Sequence, residues 1–100
     1  MQWVEVITVR SASSNAKMLT SALQELMRDV DRKADPERIR VFTRDKIDTD
    51  FCIVLFHDGE TGRGDGSRIG LHIKEALKEF GLVHHTVWIE MEHSFGGRPF

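Results

Sequence analysis

Hydrophobic and polar residues follow two different periods along this 100-residue chain. Four segments are rich in β-branched and aromatic residues and predict strands: 3–9 (WVEVITV), 38–43 (RIRVFT), 51–57 (FCIVLFH) and 82–91 (LVHHTVWIEM). Two other segments place apolar residues at three- and four-residue spacing, which is typical of amphipathic helices. They are Leu19, Leu23, Leu26, Met27 and Val30 in the first, and Ile69, Ile73, Ala76, Leu77 and Phe80 in the second. The predicted order of elements is β-α-β-β-α-β.

This order favours one compact α+β topology. Two right-handed crossovers give a four-stranded antiparallel sheet of order 4-1-3-2 with both helices on one face, the ferredoxin-like arrangement. A chain of this length forms one domain, predicted over residues 1–93, and residues 94–100 form a short C-terminal tail. Residues 44–50 (RDKIDTD) predict a polar hairpin turn between the second and third strands.

Strand alternation predicts which residues face the helices. An unpaired buried charge costs several kcal/mol, so we expect Glu5 and Arg40 on the face away from the helices. The residues expected under the helices are then Val4, Val6, Thr8, Ile39, Val41, Val87 and Ile89. The residues expected on the open face are Trp3, Glu5, Ile7, Val9, Arg40, Phe42, His84, Thr86, Trp88 and Glu90. The third strand is apolar on both sides, so its register stays undecided.

The open face predicted in this way is too apolar for a monomer. Soluble monomers rarely expose more than a few hundred Å² of contiguous apolar surface. A second copy of the chain, related by a two-fold axis, would cover the patch sheet against sheet. We therefore expect a homodimer formed through the open face.

With these elements and this expected dimer, the chain resembles the dimeric α+β barrel superfamily over residues 3–91. That superfamily includes antibiotic-biosynthesis-type monooxygenases, haem-degrading enzymes, stress-responsive barrel proteins and muconolactone-isomerase-like proteins. The resemblance implies a small-molecule cavity and, for the monooxygenase-like members, deprotonation of the substrate without metal or flavin. Motifs of the named branches differ here: the only asparagine is Asn15, and Phe56-His57 stands where a tryptophan often ends the third strand. Plain ferredoxin-like relatives, such as amino-acid-binding regulatory domains, remain an alternative.

Polar residues of the predicted open face supply the candidate site. Glu5 and His84 are the candidate catalytic residues, since a carboxylate or imidazole enclosed in a cavity can act as a general base. The candidate substrate-binding residues are Trp88, Thr86, Glu90, Arg40 and Phe42. Alternatively, all of these residues make hydrogen bonds and salt bridges between the two chains of the dimer.

The glycine-rich stretch HDGETGRGDGSRIG, residues 57–70, fits no nucleotide- or calcium-binding template. It predicts a mobile connection to the second helix, capped by Asp65 or Ser67. A ligand lid hinged at Gly62, Gly64 and Gly66 is the functional alternative. In that case the N–H groups that begin the helix would attract an anion.

Metal and cofactor binding have little support in the sequence. No C-x-x-C, H-x-x-x-H or H-E-x-x-H spacing is present. The candidate metal ligands are His57, Asp58 and His93, because the predicted topology brings them to one sheet edge. We expect no metal and no cofactor, and Cys52 is expected to be a small buried hydrophobic residue.

Composition and charge limit the partners and the cellular compartment that we expect for this protein. A net charge of −2 argues against nucleic-acid binding, and no segment approaches the ~20 apolar residues of a membrane span. A single cysteine and an N-terminal stretch without signal-peptide features favour the cytoplasm.

The sequence supports three functional hypotheses. The first is a cofactor-independent monooxygenase- or isomerase-like enzyme acting on a small organic substrate. The second is a non-catalytic ligand-binding or regulatory domain, and the third is a plain dimerisation module.

Overall fold

The structure is a computed structural model that describes residues 2–12, 15–31, 38–59 and 66–91. Its strands are β1 (Gln2–Ser11), β2 (Arg38–Arg44), β3 (Ile47–Asp58) and β4 (Gly81–Ile89). Its helices are α1 (Ala16–Asp31) and α2 (Arg68–Leu77), and a single 3₁₀ turn, Lys78–Phe80, joins α2 to β4. The predicted order of elements is confirmed, although β1 and β3 extend beyond the predicted strands. The predicted tail, residues 94–100, lies outside the described residues.

The four strands form one antiparallel sheet in the order β2-β3-β1-β4. This is the predicted strand order, with β1 and β3 in the centre. Along β1, residues Gln2 to Arg10 pair with Asp58 to Asp50 of β3, and Trp3 to Ser11 pair with Ile89 to Gly81 of β4. The two-residue turn between β2 and β3 contains Lys46 with a φ of 65°, which reverses the chain tightly.

Both helices contribute to one hydrophobic core on one side of the sheet. The buried core residues are Leu19 and Leu23 of α1, Ile73 and Leu77 of α2, Ile7 and Val9 of β1, and Phe51, Ile53 and Leu55 of β3. The apolar stripe of each helix therefore contacts the sheet, as the helical spacing predicts. Neither helix in the described part of the chain has the length and apolar character needed to cross a membrane.

The face predicted for β1 is wrong. Trp3, Glu5, Ile7 and Val9 face the helices and are buried, whereas Thr8, between them, is exposed. The faces predicted for β2 and β4 agree with the register, which places Ile39 and Val87 level with Glu5 and Leu55 on the side of the helices. Val41 and Ile89, also expected under the helices, are 40% and 55% exposed, so the helices do not cover them. β1 thus presents its larger apolar side chains to the core and carries a carboxylate with them. The undecided strand, β3, sends its odd-numbered residues from Phe51 to His57 to the same side.

Candidate functional site

A cleft of about 530 Å³ lies on the open face of the sheet. Its floor contains one transverse row of residues, one from each strand, because the register aligns Phe42 with Cys52, Cys52 with Thr8, and Thr8 with His84. Leu82, two residues before His84 on β4, extends the row along the edge strand. The cleft therefore combines an apolar floor with one imidazole on rigid strands, which is the usual composition of a small-molecule site.

One end of the cleft carries an unequal set of charges. Arg10 Nε lies 3.5 Å from Asp50 Oδ1, and Arg44 Nη1 lies 3.3 Å from Asp50 Oδ2. All three side chains line the cleft. Two guanidinium groups share one carboxylate, so these three groups carry a net charge of +1. An anionic group entering the cleft at this end would meet a favourable potential.

The predicted binding residues divide between the cleft and the surface beside it. Phe42 lines the cleft, whereas Arg40, Thr86, Trp88 and Glu90 do not. Trp88 is 60% exposed and donates its indole N–H to Thr86 Oγ1 at 2.8 Å. Glu90 accepts the Gln2 N–H at 3.1 Å. These four residues lie on the open face or at its edge and are available to a partner.

The two candidate catalytic residues lie on opposite faces of the sheet. His84 lines the open-face cleft, whereas Glu5 is fully buried beneath the helices, with 0% of its surface exposed. The expectation that they share one cavity is therefore wrong. That expectation assumed that a buried Glu5 would be unpaired, but each of its two carboxylate oxygens accepts two hydrogen bonds.

Glu5 lies at the centre of a buried polar cluster, which we call the Glu5 cluster: Glu5, His57, His85 and Ser67. Oε1 of Glu5 lies 2.9 Å from Ser67 N and 2.8 Å from His85 Nε2. Oε2 lies 2.6 Å from His57 Nε2 and accepts a hydrogen bond from Ser67 Oγ. A carboxylate anion only accepts, so each imidazole carries a hydrogen on Nε2 and donates it.

Sheet register explains how residues far apart in the sequence meet at Glu5. Trp3 pairs with His57 across β1 and β3, and Ile7 pairs with His85 across β1 and β4. His57 and His85 are therefore the diagonal neighbours of Glu5, on its two sides and on the same face. The imidazole of His57 also stacks on Trp3, with ring centroids 4.0 Å apart.

The pKa of Glu5 reflects two opposing effects. Burial raises the pKa because it disfavours the charged carboxylate, and this is the largest single contribution. Hydrogen bonds from the Ser67 hydroxyl and N–H, from His85 and from His57 together outweigh burial and lower the pKa below its usual value. Glu5 is thus an anion at neutral pH with its acceptor positions filled, which makes it a poor general base.

Ser67 is the N-cap of α2, as one of the two sequence alternatives predicts. Its hydroxyl accepts the Gly70 N–H at 2.9 Å. The anion expected at this helix N-terminus is supplied by the protein itself, because the Ser67 N–H points to Glu5. Of the predicted lid residues, Gly62 and Gly64 lie outside the described residues, and Gly66 adjoins the Glu5 cluster with a φ of 92°.

The remaining sequence candidates are the possible metal ligands and Cys52. In residues 2–12, 15–31, 38–59 and 66–91, no group of three or more His, Cys, Asp or Glu side chains is arranged to hold a metal ion. His93, one of the candidate metal ligands, lies outside those ranges. Cys52 was expected to be buried, but it is half-buried and lines the open-face cleft. Its partial burial raises the pKa of its thiol, which favours the protonated form.

Sequence reasoning missed the Glu5 cluster, although β1 contains a signal for it. Trp3, Ile7 and Val9 lie on the same side of β1 as Glu5, and Trp3 and Ile7 are larger than Val4, Val6 and Thr8 on the other side. Size therefore favoured the Glu5 side as the buried one, and only the charge argued against it. The partners that make burial possible are 52, 62 and 80 residues away, beyond any local pattern.

Comparisons of this chain with protein-family models, with curated proteins and with solved structures give no match.

Proposed function

We propose that this protein is a small homodimeric enzyme, working in the cytoplasm, that removes a proton from an acidic organic molecule without metal or flavin. This is the chemistry of the monooxygenase- and isomerase-like dimeric α+β barrels that the sequence resembles. The observation that supports it best is the open-face cleft, which places one imidazole, His84, over an apolar floor.

His84 would be the general base in this reaction. Imidazoles ionise near neutral pH, so a neutral one can accept a proton and later return it. Glu5, the other sequence candidate, is excluded from this role by its position beneath the helices. A ring system on the floor would contact Phe42 and Leu82, which are 48% and 69% exposed.

The charges at the end of the cleft favour an acidic substrate. Removing a proton from carbon leaves an enolate whose charge must be stabilised. Arg10 and Arg44, which share Asp50, supply positive charge near the cleft floor. A carboxylated or phenolic aromatic compound fits both the apolar floor and this charge.

The dimer would form through the open face, as the sequence predicts. Trp88, Phe42 and Leu82 leave a large apolar area on that face in contact with water. A second sheet over this area would close the cleft and exclude water from His84. Exclusion of water strengthens electrostatic interactions in the site.

Proton abstraction can be measured without knowing the final product. We expect the protein to catalyse exchange of a carbon-bound hydrogen for deuterium in enolisable aromatic acids dissolved in D₂O, followed by NMR. His84→Ala should slow this exchange by about 100-fold or more, the usual contribution of a general base. His72→Ala, which removes an exposed histidine of α2, is the matched control and should leave the rate unchanged. Equal rates for His84→Ala and the wild-type protein would exclude His84 as the base.

Dimerisation alone is the second candidate function, and the exposed apolar side chains of the open face favour it independently of the cleft. In that case the interface is filled and dry, and none of the aromatic acids exchanges. The regulatory alternative has less support, because Glu5 already occupies the helix N-terminus at which a ligand anion was expected.

A further inference from the structure

The Glu5 cluster holds the first turn of α2 directly on the sheet. Two of its bonds to Glu5 come from Ser67, the residue that caps the helix. Backbone atoms of Gly66 and Gly70 lie so close to the carboxylate that a Cβ atom at either position would collide with it. Glu5 therefore supplies the polar contacts that attach α2 at this end, beside Ile69 of the same turn, which packs against the core.

All the groups that contact the carboxylate are hydrogen-bond donors. They are the N–H and hydroxyl of Ser67 and the Nε2 atoms of His57 and His85. The positive end of the α2 dipole adds to them. If Glu5 gained a proton, one of its acceptor oxygens would become an O–H donor that faces other donors. Hydrogen bonds from Ser67, the N-cap of α2, to Glu5 would then be lost.

Each proton that the Glu5 cluster takes up changes its charge by one. With both neutral, the cluster carries a charge of −1 from Glu5; one added proton brings it to zero. A second added proton gives +1 beside the positive end of the helix in a buried site, which is unfavourable.

Among the described residues, no other charged side chain forms an ion pair with Glu5: His57 on β3 and His85 on β4 are its titratable partners. The charged and titratable side chains of α2 and the turn after it are Arg68, His72, Lys74, Glu75, Lys78 and Glu79. Of these, Glu75 pairs with Lys78 and not with the Glu5 cluster.

We propose that Glu5, His57 and His85 form an acid-operated latch, which holds the first turn of α2 on the sheet at neutral pH and releases it when the cluster takes up more than one proton. The carboxylate acts as an internal ligand of the helix N-terminus. Its departure would free the end of α2 while the apolar contacts of Ile73 and Leu77 with the core hold the rest of the helix.

Amide hydrogen exchange of single residues tests the latch. The informative amides are Gly70, bonded to Ser67 Oγ, and Leu71, bonded to Ser67 O at 3.0 Å. Relative to Ile53 in the core of the sheet, we expect their protection to fall about tenfold or more between about pH 7 and about pH 4. Protection that stays in step with Ile53 over this range would overturn the proposal.

Two sets of variants separate the latch from general acid unfolding. Glu5→Gln should leave Gly70 and Leu71 poorly protected at both pH values, whereas Glu75→Gln, an exposed control, should behave as wild type. In the His57→Gln/His85→Gln double variant, the amide N–H can replace Nε2–H as a donor but cannot take up a proton. This double variant should release α2 only at a lower pH than the wild-type protein does. It therefore tests the latch even if Glu5→Gln does not fold. A double variant with the wild-type pH response would exclude the imidazoles as the proton acceptors of the latch.

Discussion

At the scale of single residues, Glu5 determines most of what is unusual in this protein. A buried carboxylate is destabilising unless it is paired, and here four donors pair with it. The residue that a charge argument places on the open face is therefore a fixed part of the interior. His84, one residue from His85 in the sequence, projects to the opposite face and lines the open-face cleft.

The contribution of Glu5 to stability should depend on pH in a defined direction. Its pKa in the folded protein is lower than in the unfolded chain, so its stabilisation is fully present above about pH 4.5 and is lost as the pH falls through the folded value. At neutral pH, Glu5→Gln should lower the free energy of unfolding by about 2–4 kcal/mol, because donors are left unsatisfied. Denaturant unfolding from neutral to acidic pH measures this difference, which should shrink as the pH decreases. A difference independent of pH would show that the carboxylate charge is not its origin.

At the scale of elements, α2 is fitted to the sheet through small residues at its start. Gly70 lies in the first turn of the helix and directly over Glu5. In an isolated helix, replacing glycine by alanine is favourable by about 1 kcal/mol. At this position the added Cβ would collide with a fully buried carboxylate, so packing rather than helix propensity determines the outcome.

Gly70→Ala should therefore destabilise the protein, by about 1–3 kcal/mol, despite its better helix propensity. Thermal unfolding followed by circular dichroism measures the change. His72→Ala, on the exposed side of the same helix, is the control and should stay within about 0.5 kcal/mol of wild type. A stabilised Gly70→Ala protein would mean that α2 does not rest on Glu5.

At the scale of the whole molecule, the two faces of the sheet differ in kind. One is covered by both helices and contains the core and the Glu5 cluster. The other is open and contains the cleft, Trp88 and the shared ion pairs of Asp50. Function and assembly are therefore proposed for the open face, and stability and its pH response belong to the covered face.

If the open face forms the dimer, a charge placed on it should dissociate the dimer. Trp88→Glu should convert the protein to a particle of the monomer mass, 11.5 kDa, in sedimentation equilibrium at micromolar concentration. Met18→Glu places the same charge on an exposed position of α1, 63% accessible, and should leave the mass unchanged. A wild-type protein that sediments as a monomer at these concentrations would rule out the dimer.

The sequence by itself determined the elements and their order in the sheet. Helical and strand periodicity locate α1, α2 and the four strands, because the apolar side of each element must face a core. The polar stretch from Arg44 to Asp50 correctly predicts a reversal between β2 and β3, although only Asp45 and Lys46 form the turn and residues 47–50 belong to β3. Ser67 is correctly offered as a helix cap. These are local properties, determined by residues that are neighbours in the chain.

Only the tertiary structure decided which side of β1 is buried and what surrounds Glu5. Alternating residues of a strand point to its two faces, and β1 has apolar residues on both faces. Alternation alone therefore does not say which face is buried. The choice depended on whether distant groups could satisfy a carboxylate, and those groups are Ser67, His57 and His85. Because hydrogen bonds across strands and to a helix N-terminus join residues 52 to 80 positions apart, no local pattern of residues reveals them. The same reversal of β1 separates Glu5 from His84, and so the location of the candidate site is a property of the folded chain.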